Sequence, residues 1–323
     1  MRRIAAAIIV PLLAGLALVG CGSGSSGSSG SSDPNTGVSV TGTFGKAPSV
    51  KIPKQTAGAK LDISTPIKGT GPALTSGDDV LANLAIYVWS GKTSKLLDST
   101  FTSIPQVVPA NVGLTGLADA VKGKKIGSRV VAVLPPKFGY GTQGNPQLGV
   151  KGTDTTVWVI DLIKPFTPTQ SASGQHVSDG GGSLPAVKSA SGSAPVVTIP
   201  KKGTAPTKLI RKTLIQGTGP KLANGQTVVA QYVAVNWRTK QVFNSTWPSS
   251  QSAGTPFSFA LGGNGVIPGF KALAGVPVGS RVMLVIPPAE GYGKAGQSQA
   301  GIKGTDDLVF VIDVLAAVPG ASA

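Results

Sequence analysis

The feature that most constrains this chain is that it repeats itself. Ala47-Pro48-Ser49-Val50-Lys51-Ile52-Pro53-Lys54 returns as Ala194-Pro195-Val196-Val197-Thr198-Ile199-Pro200-Lys201, and Gly69-Thr70-Gly71-Pro72 returns as Gly217-Thr218-Gly219-Pro220. Further on, Gly127-Ser128-Arg129-Val130 matches Gly279-Ser280-Arg281-Val282, and Gly139-Tyr140-Gly141 matches Gly291-Tyr292-Gly293. Lys151-Gly152-Thr153-Asp154 likewise matches Lys303-Gly304-Thr305-Asp306. The offset stays between 146 and 152 residues, so one domain is written twice. The copies are expected at 46–165 and 193–323. The stretch 166–192, rich in Ser, Gly and Ala, reads as a linker.

Each copy reads as strands around one short helix. In the second, Val228 to Trp237, Gln241 to Asn244, Pro256 to Leu261, Arg281 to Ile286 and Leu308 to Leu315 are rich in Val, Ile and aromatics, with turn residues between them. Leu308, Phe310, Ile312 and Val314 share one face of the last run. Val309 and Val311 are apolar too, which predicts a central strand covered on both faces. Phe270 to Ala274, after Pro268-Gly269, is the expected helix. The class is α+β: in each copy, a curved antiparallel sheet wrapped on a short α-helix.

The amino terminus carries an address. Arg2 and Arg3 precede an apolar run, Ile4 to Val19, of about 16 residues, short of the roughly 20 a spanning helix needs. It suits a signal-peptide core at 1–20. The run ends in Leu18-Val19-Gly20-Cys21, which resembles the bacterial lipobox and implies lipid attachment to Cys21, the only cysteine. Residues 21–45, opening with a Gly/Ser tract, read as a flexible tether. The expected location is the extracytoplasmic face of the cell membrane.

Composition narrows the chemistry. One histidine, His176, makes histidine catalysis and most zinc chemistry improbable, and one cysteine excludes an intrachain disulfide. The formal charge is +16. No basic run exceeds two residues, so the charge is a dispersed one rather than a nucleic-acid footprint.

The second copy carries, in order, Val242-Phe243-Asn244-Ser245-Thr246, Pro256-Phe257-Ser258-Phe259-Ala260-Leu261-Gly262, Val266-Ile267-Pro268-Gly269-Phe270, Val278-Gly279-Ser280-Arg281, Ile286-Pro287-Pro288 and Gly291-Tyr292-Gly293. This set resembles the FKBP-type peptidyl-prolyl isomerases over nearly all of 205–316. The resemblance implies an aromatic pocket for a proline ring, walled by Tyr232, Phe243, Phe257, Val266, Ile267, Tyr292 and Phe310 and floored by Phe270. It implies substrate hydrogen bonds from the Tyr292 hydroxyl and the Ile267 backbone N–H. Two side chains depart from the family: Phe270 replaces its usual tryptophan, and Asn244 replaces its aspartate, keeping an acceptor but losing the charge. One residue is also missing between Gly269 and Gly279.

The implied chemistry suits this inventory. Cis and trans Xaa-Pro differ by only about 0.5–1 kcal/mol across a barrier of roughly 18–20 kcal/mol. That barrier is amide resonance, so no cofactor, metal or nucleophile is required. The implied partners are Xaa-Pro segments of unfolded exported proteins, met at the membrane.

The first copy diverges. Leu84, Leu97 and Leu117 stand where the second copy has Tyr232, Phe243 and Phe270, and no Pro-Phe-x-Phe-x-Leu-Gly occurs. Asp98, Tyr140 and Trp158 remain. A degenerate pocket with little or no isomerase activity is expected there. Trp89 and Trp237, at equivalent positions, are expected in structural packing. The competing expectation for the whole chain is a non-catalytic chaperone or peptide-binding module on a lipid anchor.

Overall fold

A computed structural model describes residues 36–109, 113–249 and 254–320. Cys21 and the apolar segment before it lie outside the described residues. Among the described residues, no helix is long and apolar enough to cross a membrane.

The chain divides into two compact units. One takes the described residues up to Leu74, with Leu84–Ser99 and those of 111–162; the other takes Thr75–Asn83, Thr100–Ala110 and the described residues from Ile163 onward. The boundaries therefore differ from a simple cut between two sequence repeats, since 75–83 and 100–110 group with the second unit.

The first repeat supplies β1 (Ser39–Thr41), β2 (Ser49–Lys51), β3 (Asp62–Ile67), β4 (Asp79–Ser90), β5 (Thr93–Ser99), β6 (Gln106–Val108), α1 (Thr115–Val121), β7 (Arg129–Leu134) and β8 (Thr155–Phe166). The second supplies β9 (Gln175–His176), β10 (Ala186–Lys188), β11 (Val196–Thr198), β12 (Ile210–Gln216), β13 (Thr227–Asn236), β14 (Val242–Ser245), β15 (Phe257–Ala260), β16 (Arg281–Ile286) and β17 (Leu308–Val318). The sheet orders match: β5-β4-β8-β7-β3 with β6 on β4, and β14-β13-β17-β16-β12 with β15 on β13. All the pairings with a described register are antiparallel.

β17 lies between β13 and β16, and Leu308 through Leu315 are all buried. Its two faces do different things. Val309 and Val311 pack with Val233, Val235, Met283, Val285 and Trp237 in a core that also takes Val187 and Ile199. Phe310, one residue away from both, points to the opposite face. Val187 and Ile199 belong to the antiparallel β10–β11 hairpin and the residue after it, so this hairpin covers one face of the second sheet.

Here the structure corrects the linker expected at 166–192. β9 pairs with β12, and Val187 is 2% exposed. The strands are two and three residues long, too short for a period to be visible; Val187 and Ile199 anchor the hairpin in the core, and the exposed β9 is held by its pairing with β12.

The helix expectation is also corrected in the second unit. Pro268–Leu273 is a 3-10 helix, whereas α1 of the first unit is a true α-helix. The stretch between Gly269 and Gly279 is one residue shorter than that between Gly116 and Gly127. A 3-10 turn rises about 2.0 Å per residue against 1.5 Å for an α-turn, so it spans a given gap with fewer residues. Pro268 at the first position lacks the N–H that would be unsatisfied there anyway.

Each sheet holds one buried ion pair between directly opposed residues of adjacent strands. Arg129 Nε and Nη2 donate to Asp161 at 2.7 and 2.8 Å, and Arg281 Nε and Nη2 donate to Asp313 at 2.5 and 2.6 Å. All four side chains are 3% exposed or less. The forked guanidinium satisfies both carboxylate oxygens, which is what makes such burial tolerable.

Candidate active site

Four strands and one turn of helix bring the aromatic side chains of the second unit together. β13 carries Tyr232, β14 carries Phe243 and Asn244, β15 carries Phe257 and Phe259, and β17 carries Phe310. Residues two apart on a strand share a face, so Phe257 and Phe259 point the same way, with ring centroids 5.6 Å apart. Phe310 is the hub: its centroid lies 5.8 Å from Tyr232, 5.8 Å from Phe243 and 5.1 Å from Phe270. Tyr232 meets Phe257 edge-on at 6.1 Å, and Phe259 meets Phe270 at 5.4 Å. Most of these contacts are edge-to-face, the arrangement aromatic quadrupoles favour.

Burial divides the six rings into a base and a rim. Phe259, Phe270 and Phe310 are buried, while Tyr232, Phe243 and Phe257 are half-buried. Val266 and Tyr292 are half-buried as well, and Ile267 is buried. Phe270 sits at the base because Ile267-Pro268-Gly269 starts the 3-10 helix, with the Phe270 N–H donating to the Ile267 carbonyl at 3.1 Å. A side chain on Gly269 would collide with Ile286, so glycine there lets the helix lie close to β16.

Two donors stand free at this surface. Among the described residues, neither the Ile267 N–H nor the Tyr292 hydroxyl has a hydrogen-bond partner. Tyr232, by contrast, donates its hydroxyl to Asn244 Oδ1 at 3.1 Å. Burial, with Tyr292 nearby as a second cause, pushes the Tyr232 phenol well above its ordinary range, and burial raises Tyr292 too. Both phenols stay protonated near neutral pH. Among the described residues, no group of three or more His, Cys, Asp or Glu is placed to hold a metal ion.

Of the nine residues expected from the sequence in the pocket, Tyr232, Phe243, Asn244, Phe257, Phe270 and Phe310 lie on these strands and the helix, Val266 and Ile267 immediately precede the helix, and Tyr292 lies in the turn after β16. Direct ring contacts join Tyr232, Phe243, Phe257, Phe270 and Phe310. Sequence reasoning passed over Phe259, which touches both Phe257 and Phe270. The alternation Phe257-Ser258-Phe259 was the available signal.

A family model for the FKBP-type peptidyl-prolyl cis-trans isomerases matches residues 219–315, the segment that contributes every one of these rings. The chain is 37% identical over 115 residues to the FK506-binding protein of Streptomyces anulatus, covering 35% of this chain and 90% of that protein. It is 34% identical over 116 residues to a probable FK506-binding protein of Corynebacterium glutamicum, covering 36% of this chain and 92% of that one. The chain belongs to the FKBP-type peptidyl-prolyl isomerase family. It is also 34% identical over 121 residues to the FKBP-type isomerase FkpA of Escherichia coli, covering 37% of this chain and 42% of FkpA. Its enzyme class is that of a peptidyl-prolyl cis-trans isomerase.

Set against this FKBP segment, the first repeat keeps the strand order but has Leu84, Leu97, Gln106, Val108 and Leu117 in place of five rings, with Trp158 at the position of Phe310. On β4, Ala82 faces Gln106 as Ala230 faces Phe257, and Val80 faces Val108 as Val228 faces Phe259. Asp98 faces Ile86 as Asn244 faces Ala234. Leu84, Leu117 and Trp158 are all buried, and the Trp158 indole N–H donates to Thr156 Oγ1 at 3.0 Å. Trp89 is 2% exposed and donates its indole N–H to the Gln55 carbonyl at 2.8 Å; Trp237 sits in the second sheet's opposite core.

Proposed function

We propose that the chain is an extracytoplasmic peptidyl-prolyl isomerase that assists the folding of exported proteins, with catalysis in the aromatic site of the second unit. The observation that carries this reading is the convergence of six rings, Phe310 among them, beside two unpartnered donors. A proline ring would rest on the buried base of Phe259, Phe270 and Phe310, between the half-buried walls of Tyr232, Phe243 and Phe257.

The mechanism follows from what the amide loses at the transition state. Planar Xaa-Pro is charge-separated by resonance, and the twisted amide is less so. An apolar aromatic site therefore disfavours the planar ground state relative to the twisted one, while the Tyr292 hydroxyl and Ile267 N–H hold the flanking carbonyls in place. Each 1.36 kcal/mol of differential stabilisation is about tenfold in rate. No proton is transferred, so no side chain has to change charge. Since uncatalysed isomerisation takes about 10–100 s, a client at the membrane would gain from the acceleration.

In this reading the first repeat is a degenerate domain of the same kind, and Cys21 carries the lipid that keeps both beside the membrane. A second reading, a peptide-holding module without catalysis, is favoured for the first repeat alone, because Gln106 and Val108 replace the two phenylalanines that wall and support the proline site. The test uses the full chain. Tyr140→Phe should leave cis-to-trans exchange of an Xaa-Pro peptide unchanged and Tyr292→Phe should slow it; equal losses would assign catalysis to both repeats. Cys21→Ala should move the protein from the membrane to the soluble fraction, and a variant that stays membrane-bound contradicts the anchor.

A further inference from the structure

The two buried arginine–aspartate pairs are equivalent in the duplication, but they are covered differently. In the first repeat the loop of the β1–β2 hairpin closes over the pair. Arg129 Nη2 donates to the Thr43 carbonyl at 2.9 Å and to the Lys46 carbonyl at 2.7 Å, while the Gly45 N–H donates to Asp161 Oδ2 at 2.6 Å. Carbonyl oxygens thus take the Nη2 hydrogen that does not go to Asp161.

In the second repeat the carboxylate keeps its backbone donor, now the Ala172 N–H at 2.9 Å from Asp313 Oδ2. The guanidinium has lost its carbonyls. Among the described residues, Arg281 hydrogen-bonds to Asp313 alone, through Nε and Nη2. A guanidinium has five N–H donors, so both hydrogens of Nη1 and one of Nη2 are unused on a residue that is 2% exposed. Arg281 lines an open cavity of about 180 Å³, together with Ser171, His176, Ser189, Ala190 and Ser191. Ser189 to Ser191 belong to the β10–β11 hairpin loop, the counterpart of the loop that fills this place in the first repeat.

We infer that this cavity is a subsite for a small oxyanion, a carboxylate or phosphate group, whose oxygens take the positions that the Thr43 and Lys46 carbonyls occupy in the first repeat. Three features carry it. The planar fork presents its unused N–H groups in the geometry that carboxylate and phosphate oxygens accept. Three serines in the lining provide further hydroxyl donors. The space exceeds several water volumes of about 30 Å³, enough for an anion of this class. Asp313 balances the charge of Arg281, so recognition rests on hydrogen-bond direction more than on net charge. None of the cavity's residues belongs to the aromatic site, and the inference stands apart from the catalytic reading.

His176 is the only histidine in the chain and lies in the cavity wall, so its imidazole protons give one unambiguous reporter. The full chain would be titrated with sodium phosphate and, separately, with sodium acetate at fixed pH and ionic strength, following the His176 resonances by proton NMR, with sodium chloride as the reference. A saturable shift with phosphate or acetate, absent with chloride, supports the subsite, and the salt that saturates identifies the group. Ala190→Trp, at an exposed loop position, fills the cavity without touching the ion pair. It should weaken the apparent affinity at least tenfold and leave isomerase activity unchanged. Arg281→Lys keeps a cation but removes the fork; if it folds it should also abolish saturation, and if it does not fold the Ala190→Trp result decides. A linear drift equal to that with chloride, or saturation identical in Ala190→Trp, overturns the inference.

Discussion

The Tyr232 hydroxyl donates a 3.1 Å hydrogen bond to Asn244 Oδ1 on the neighbouring edge strand. Two half-buried polar groups are thereby satisfied at the lip of an aromatic site, where an unpartnered hydroxyl would be drawn toward water. The bond fixes the Tyr232 ring, which in turn packs on Phe257 and Phe310. Asparagine makes this a neutral bond where the family's aspartate would make a charge-assisted one, roughly twice as strong.

Asn244→Asp should therefore tighten the Tyr232 ring and raise kcat/KM for an Xaa-Pro peptide severalfold. Asn244→Ala should lower it and destabilise the fold by about 1–3 kcal/mol, the penalty of an orphaned polar group. Denaturant unfolding and peptide isomerisation on the same preparations check both.

The isomerase rate should be flat with pH across the neutral range. Tyr232 and Tyr292 are both held above their usual phenol value of about 10, so each remains a donor up to at least that pH. A rate profile between pH 6 and 9 tests this, and a bell shape would mean that a titrating group takes part.

Stability should carry an acid limb from Asp306. Its carboxyl accepts from Arg238, the Lys303 N–H and Asn236, and the Arg238 hydrogen bond is the largest cause holding it well below the ordinary carboxylate value. A depressed carboxylate contributes stability above its unfolded value, about 3.9, and loses it as pH falls toward the folded one. Thermal melts of Asp306→Asn and the parent should differ at pH 7, and the difference should shrink progressively as pH falls below about 4.

The buried pairs should respond asymmetrically. Asp313→Asn leaves Arg281 charged and uncompensated, with an expected loss of about 3–5 kcal/mol, whereas Arg281→Met with Asp313→Leu should recover most of it. Urea midpoints give the comparison directly.

What the sequence could and could not tell follows from these same residues. Strands such as β17 were legible because Leu308 to Leu315 is long and apolar on both faces, and the order of motifs named Tyr232, Phe243, Phe257, Phe270 and Phe310, whose rings meet in the structure. The 3-10 geometry at Pro268–Leu273 was foreshadowed only by one missing residue before Gly279. The β10–β11 hairpin went unread because a three-residue strand shows no period. Its anchoring by Val187 and Ile199 is a tertiary fact. β6 went unread for a different reason: Gln106-Val107-Val108 has kept the register of Phe257-Ser258-Phe259 while losing its side chains.

The hairpin therefore supplies its own check. Ile199→Ala empties a buried position of the second unit's core and should destabilise it by about 2–5 kcal/mol, against a few tenths if the hairpin were not anchored in that core.

The central claim is that the aromatic site of the second unit catalyses prolyl isomerisation. It is tested most directly by cis-to-trans exchange of an Xaa-Pro peptide with the full chain and with Phe257→Ala plus Tyr292→Phe, each shown by circular dichroism to be folded. The parent should accelerate exchange over buffer and the double variant should lose at least about tenfold, the equivalent of 1.36 kcal/mol of transition-state stabilisation. Equal acceleration by both proteins would contradict the account.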